Sequence, residues 1–173
     1  LSNAPLFIDD TPSPTVVQIR SMARRLQTEN GKLSLLVIDY LQLIQPRRGQ
    51  DNTVAQVTEI SRGVKSLARE LDIPILTLSQ LSRAVDQREV KIPRLSDLRE
   101  SGSIEQDADV VMFIHPKDIG RMDTPPEDEN IVEIIVAKHR NGPQGLVRLF
   151  FDKQRASFQE LDESHDYAGA EVA

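Results

Sequence analysis

The run Leu33-Ser34-Leu35-Leu36-Val37-Ile38-Asp39 constrains the fold of this chain more than any other segment. It is almost continuously apolar and ends in a carboxylate. That pattern predicts a central parallel strand covered on both faces. The flanking sequence alternates in kind. Pro5-Leu6-Phe7-Ile8-Asp9-Asp10 predicts a short buried strand closed by a Thr-Pro-Ser-Pro turn. Ser13 is then the expected N-cap, with Pro14 opening a helix whose apolar stripe is Val16, Ile19, Met22, Ala23 and Leu26. Asn30-Gly31 stops that helix.

After a polar loop from Pro46 to Asn52, a second and clearer helical stripe follows: Val54, Val57, Ile60, Val64, Leu67, Ala68 and Leu71. Pro74 to Gln80 predicts another short buried strand. Leu81 to Ser103 is a long polar stretch of the kind that is functional or mobile in compact domains. Within it, Ser103 and Gln106 predict a capping box for one helical turn. Asp109 to His115 is a fifth apolar segment, and Lys117 to Asn130 a Pro-rich, acidic connector. Ile131 to Ala137 and Leu146 to Phe151 predict strands around the turn Asn141-Gly142-Pro143-Gln144-Gly145, with Ser157 to Leu161 as an edge strand. The order implies an α/β fold: a mostly parallel sheet flanked by helices, with a C-terminal antiparallel hairpin. Ligands of such sheets bind at the carboxyl ends of the strands, where Asp39 and Gln80 stand.

Composition limits the functions open to it. With 39% hydrophobic and 28% charged residues the chain reads as an ordinary globular domain, here residues 1–161, followed by a small polar tail, 162–173, expected to be disordered. A net charge of -6 excludes bulk attraction to a polyanion, so any DNA contact must come from a local basic group. No apolar run approaches the roughly 20 residues of a membrane span. Cysteine is absent, which removes disulfides and thiolate metal sites. These features fit a cytoplasmic protein.

Four segments can carry chemistry, each with a plainer reading beside it. Asp39 can hold Mg²⁺ against nucleotide phosphates, or merely cap the strand. Gln80 can sense a terminal phosphate or orient water, or be an ordinary loop amide. In Asp97-Leu98-Arg99-Glu100-Ser101-Gly102-Ser103, Arg99 can neutralise a phosphate and Gly102 can let backbone N–H groups approach it; the alternative is a solvated loop. Lys138 and Arg140 flank His139 beside a Gly-Pro-x-Gly turn, where they can reach a neighbouring subunit's nucleotide or simply form a basic tip. The phosphate-binding pattern Gly-x-x-x-x-Gly-Lys-Ser/Thr does not occur: Gly31-Lys32 has Leu26 in place of the first glycine and Leu33 in place of the hydroxyl residue.

Taken in order, Leu35 to Leu43, Leu78-Ser79-Gln80-Leu81-Ser82-Arg83, Asp97 to Asp109, and Ala137-Lys138-His139-Arg140-Asn141-Gly142-Pro143 resemble the DnaB family of replicative DNA helicases, from about Leu1 to about Leu161. The resemblance implies the C-terminal part of a RecA-like motor domain, working as a homo-hexamer on single-stranded DNA with ATP and Mg²⁺, in a bacterial, nucleoid-associated setting. It assigns Asp39 to the Mg²⁺ site and Gln80 to a switch between the terminal phosphate and the DNA loops. It assigns Arg99, Glu100 and Gly102 to the DNA grip, and Lys138 and Arg140 to a neighbour's nucleotide. It also implies primase and a helicase loader as partners. His139 departs from the glutamine usual in the family. The family's phosphate loop lies upstream of these motifs, so the chain alone is expected to be inactive, with some apolar sheet surface exposed. Another RecA-like ATPase, such as a recombinase or clock-type hexamer, fits the Arg99 to Asp109 run less well. A non-catalytic fragment that binds helicase subunits is favoured only by the missing phosphate loop.

Overall fold

The computed structural model describes residues 4–46, 52–98, 102–118, 125 and 128–161. They fall into two compact units: residues 1–81 with 98–107, and residues 82–97 with 108–173.

In the first unit, helix α1 spans Val16–Asn30 and starts two residues later than the Ser13 cap predicts. Ser13 has a φ of 50°, in the left-handed region, which the extended geometry of an N-cap does not allow. Thr15 caps instead: its hydroxyl accepts the Gln18 N–H at 3.3 Å, and Gln18 Oε1 accepts the Thr15 N–H at 2.8 Å. The strand predicted at Pro5 to Asp10 does not form. Those residues pair with no described strand, and Leu6 and Ile8 are 77% and 85% exposed. An apolar run becomes a strand only when a neighbour supplies the other side of the ladder.

Strands β1 (Leu36–Ile38) and β2 (Ile75–Thr77) pair in parallel, Leu36 opposite Ile75 and Ile38 opposite Thr77. Between them runs α2, Thr53–Leu71, opened by Asn52, whose side chain accepts the Val54 N–H at 2.9 Å. Val57, Ile60, Val64, Leu67 and Leu71 of the predicted stripe are buried, and with Ile19, Ala23 and Ile38 they make the core. Val54 is the exception and stays half exposed in the first turn. Burying a side chain such as Leu67 stabilises by about 1.5–3 kcal/mol. Only one face of the parallel pair is covered. Side chains alternate along a strand, so Leu36, Ile38 and Ile75 turn to the core while Val37 and Leu76 stay 51% and 46% exposed. The expectation of cover on both faces therefore fails for this chain. A short helix, α3, spans Gly102–Asp107. Ser103 is its second residue rather than its cap.

The second unit is one antiparallel sheet in the order β3-β4-β5-β6: Val110–Pro116, Ile131–His139, Gly145–Asp152 and Ser157–Glu160. The antiparallel part is thus larger than a single hairpin. Val111 and Phe113 of β3 are buried while Met112 and Ile114 are exposed, with a bulge between Val111 and Met112. Lys117 pairs with Asp128, joining the two ends of the predicted connector. Most of the middle of that connector and the tail from Asp162 lie outside the described residues.

Candidate functional site

The parallel pairing brings Asp39 and Gln80 to the same end of the sheet. Asp39 follows the last residue of β1, and Gln80 lies three residues beyond β2. The two chains stay in step just past the strands: the Leu78 N–H donates to the Ile38 carbonyl at 3.0 Å and the Leu41 N–H to the Leu78 carbonyl at 2.9 Å. Both Asp39 and Gln80 are exposed. Tyr40, Leu78, Ser79 and Gln80 line an open depression of about 330 Å³ beside them. The Asp39 carboxylate accepts no hydrogen bond from any described residue. It is a hard oxygen donor on a rigid strand end, which suits Mg²⁺, an ion commonly bound by one or two carboxylates together with substrate phosphates.

Gln42 joins the two loops. It sits in a 3-10 turn, Leu41–Leu43, directly after Asp39-Tyr40. Its Nε2 donates to Ser79 Oγ at 3.1 Å, and its Oε1 accepts the Gln80 N–H at 3.3 Å. Nothing in the spacing of the sequence marks this contact.

Of the proposed DNA grip, Arg99 and Glu100 lie outside the described residues. Gly102 is the exposed first residue of α3. That helix is moored to α2 by buried Ser61, whose hydroxyl donates to Asp107 at 2.7 Å. Sequence reasoning missed this anchor as well, since its two residues are 46 positions apart.

Lys138 and Arg140 belong to the second unit. Lys138 stands opposite Val111 and His139 opposite Val110. Strand β5 begins opposite Val136, so the end of β4 is supported from the β3 side. The Arg140 N–H donates to the Asp109 carbonyl at 2.8 Å, and its guanidinium lies 3.1 Å from the Asp109 carboxylate. The His139 ring packs over Gly142, where any Cβ would come within 2.4 Å of it. His139 Nδ1 is 3.2 Å from the Pro143 carbonyl oxygen, which can only accept, so the contact needs the proton on Nδ1.

In the same unit, Asp97 is a buried carboxylate that organises the loop of residues 82–97. It pairs with Arg88 and accepts the Arg94 N–H at 2.7 Å, while its own carbonyl accepts the Ser82 N–H at 2.9 Å. Burial pushes the Asp97 carboxyl up. Arg88 and the backbone N–H of Arg94 hold it down more strongly, and the net shift is below the ordinary 3.8.

A parallel strand pair with its polar residues at the carboxyl ends, followed by antiparallel strands, places this chain in the RecA-like α/β class. Residues 1–160 match the DnaB-like helicase C terminal domain family, and the chain belongs to that family. The replicative DNA helicase DnaB of Geobacillus stearothermophilus is 54% identical over 169 residues, covering 97% of this chain and 37% of the relative. The replicative DNA helicase DnaC of Bacillus subtilis is 53% identical over 170 residues, covering 98% and 37%. The chain therefore spans little more than a third of the length of these curated relatives. Two solved structures superpose with a TM-score of 0.87 at 46% identity over 93% of this chain. One is a DnaB-like replicative helicase studied with its interactions with primase, of which 38% is covered; the other is an isolated ATPase domain, of which 56% is covered.

Proposed function

We propose that this chain is the DNA-gripping and neighbour-contacting part of the motor of a hexameric, ATP-dependent replicative DNA helicase. The complete protein would translocate on single-stranded DNA and unwind duplex at the replication fork. The observation that carries the reading is the placement of Asp39 and Gln80 at the carboxyl ends of adjacent parallel strands. Membership of a helicase family supports it.

When bound, Mg²⁺ bridges the terminal phosphates of ATP and offsets the charge that develops there. Asp39 supplies a carboxylate to hold that ion. Gln80 offers an exposed amide to the terminal phosphate and passes its presence on to the DNA loops. Arg99, Glu100 and Gly102 meet the DNA backbone, a contact suited to a motor that must ignore sequence. Lys138 and Arg140 reach the nucleotide held by a neighbouring subunit. Primase and a helicase loader are the expected protein partners, and the bacterial cytoplasm, at the nucleoid, the expected location.

The direct test replaces Asp39 by alanine in the full-length protein and measures single-strand-stimulated ATP hydrolysis. Hydrolysis should be abolished. Wild-type turnover in Asp39→Ala would remove the metal assignment and the reading built on it.

A further inference from the structure

Gln42 holds the residue after Ser79 by its main chain alone. Its Oε1 accepts the Gln80 N–H at 3.3 Å, and its Nε2 approaches the Gln80 carbonyl at 3.5 Å while donating to Ser79 Oγ at 3.1 Å. A primary amide facing both the N–H and the C=O of one residue imitates a rung of a strand ladder. Among the described residues, the last backbone bonds joining the two loops stop at Leu78. Beyond that point, the Gln42 amide is the described link that directs Gln80. It leaves the Gln80 side chain exposed to the open depression.

We propose that Gln42 is a positioning residue for Gln80, coupling the loop that carries Asp39 to the loop that carries the terminal-phosphate sensor. The inference rests on the role assigned to Gln80 above. Its three contacts lie at the long end of the hydrogen-bond range and are exposed to water. Such a link can be broken and remade as the Asp39 loop adjusts, unlike a buried brace.

The test uses the full-length helicase carrying this segment. Steady-state ATP hydrolysis is measured with a single-stranded oligonucleotide for the wild type, Gln42→Ala, Gln80→Ala and the double variant. Gln42→Ala should lower kcat roughly tenfold, the effect of losing one or two neutral hydrogen bonds, with the KM for ATP changed less than about twofold. The double variant should match Gln80→Ala within about twofold, because Gln42 acts through Gln80. Gln42→Glu, which keeps the acceptor for the Gln80 N–H and loses the donor, should fall between wild type and Gln42→Ala. If Gln42→Ala shows no cooperative melting transition, Gln42→Glu carries the same comparison. Wild-type kcat in the Gln42 variant beside an impaired Gln80→Ala overturns the inference and leaves the helicase reading intact. Losses that multiply in the double variant, or a change confined to KM, overturn it too. Unimpaired Gln80→Ala removes the sensor role itself, and the inference with it.

Discussion

At the ends of β1 and β2, Gln80 is held by the neutral amide of Gln42; beside the β4–β5 hairpin, Arg140 is held by the carboxylate of Asp109. The first hold acts on the backbone and leaves the working side chain outside it. The second acts on both parts of its residue separately. The Arg140 N–H stays in the sheet through the Asp109 carbonyl, while the guanidinium rests on the Asp109 carboxylate with the two side chains 44% and 53% exposed. An ion pair that open to water contributes only about 0–1 kcal/mol. The guanidinium can therefore exchange Asp109 for a phosphate at little cost, while the hairpin backbone does not move. A group that must sense a ligand within its own subunit is fixed by its main chain. A group that must reach outward is fixed by its main chain and only parked by its side chain.

The largest effect that could break this contrast is at Arg140. Arg140→Ala in the full-length ring should lower ATP hydrolysis roughly 10³–10⁵-fold, the range for arginines that stabilise phosphoryl transfer from a neighbour. Mixed rings decide whether the effect is in trans: wild-type subunits beside the variant must lose activity as well. If only the variant subunits are silent, the hairpin does not serve a neighbour.

A smaller effect sharpens the contrast through pH. Asp97→Asn should destabilise the protein by about 2–3 kcal/mol at neutral pH, since it leaves the partly buried Arg88 without its carboxylate. In the wild type, the folded-state value of Asp97 is depressed below 3.8. Its stabilisation is therefore complete above 3.8 and is lost as pH falls from there through the depressed value. The Gln42 clamp contains no titratable group. Hydrogen exchange should accordingly quicken in residues 82–97 on acidification before it does at Gln80. Simultaneous release of both would mean that Asp97 does not govern its loop.

The smallest expected effect is at the turn. Gly142→Ala must displace the His139 ring, because the new Cβ would sit within 2.4 Å of it. The loss should be about 0.5–1 kcal/mol, read from the thermal midpoint, with the β-sheet signal unchanged. A neutral result would show that the ring is not part of what shapes the turn.

Much of the architecture was legible because periodicity is written locally. Val57, Ile60, Val64, Leu67 and Leu71 announce α2 at helical spacing, and the runs ending near Asp39 and Gln80 mark two strands whose carboxyl ends meet. The turn from Asn141 to Gly145 announces the β4–β5 pairing. Even the misplaced start of α1 had its signal, for Thr15-Val16-Val17-Gln18 is a capping box in its own right. Pro5 to Asp10 shows the limit of the method. Its apolar run reads as a strand, yet pairing depends on a neighbour that no local pattern reports.

The same boundary divides the candidate site. Residue type and spacing were enough to put a carboxylate after one apolar run and an amide after the next, since both follow from where each run stops. The side chains that hold them were not recoverable this way. Gln42 meets the Gln80 backbone 38 residues away, Ser61 meets Asp107 across 46, and one face of β1 and β2 is left open. Hydrogen bonding and burial depend on what packing brings within about 3 Å. That distance is set by the folded chain as a whole and leaves no period in the sequence to read.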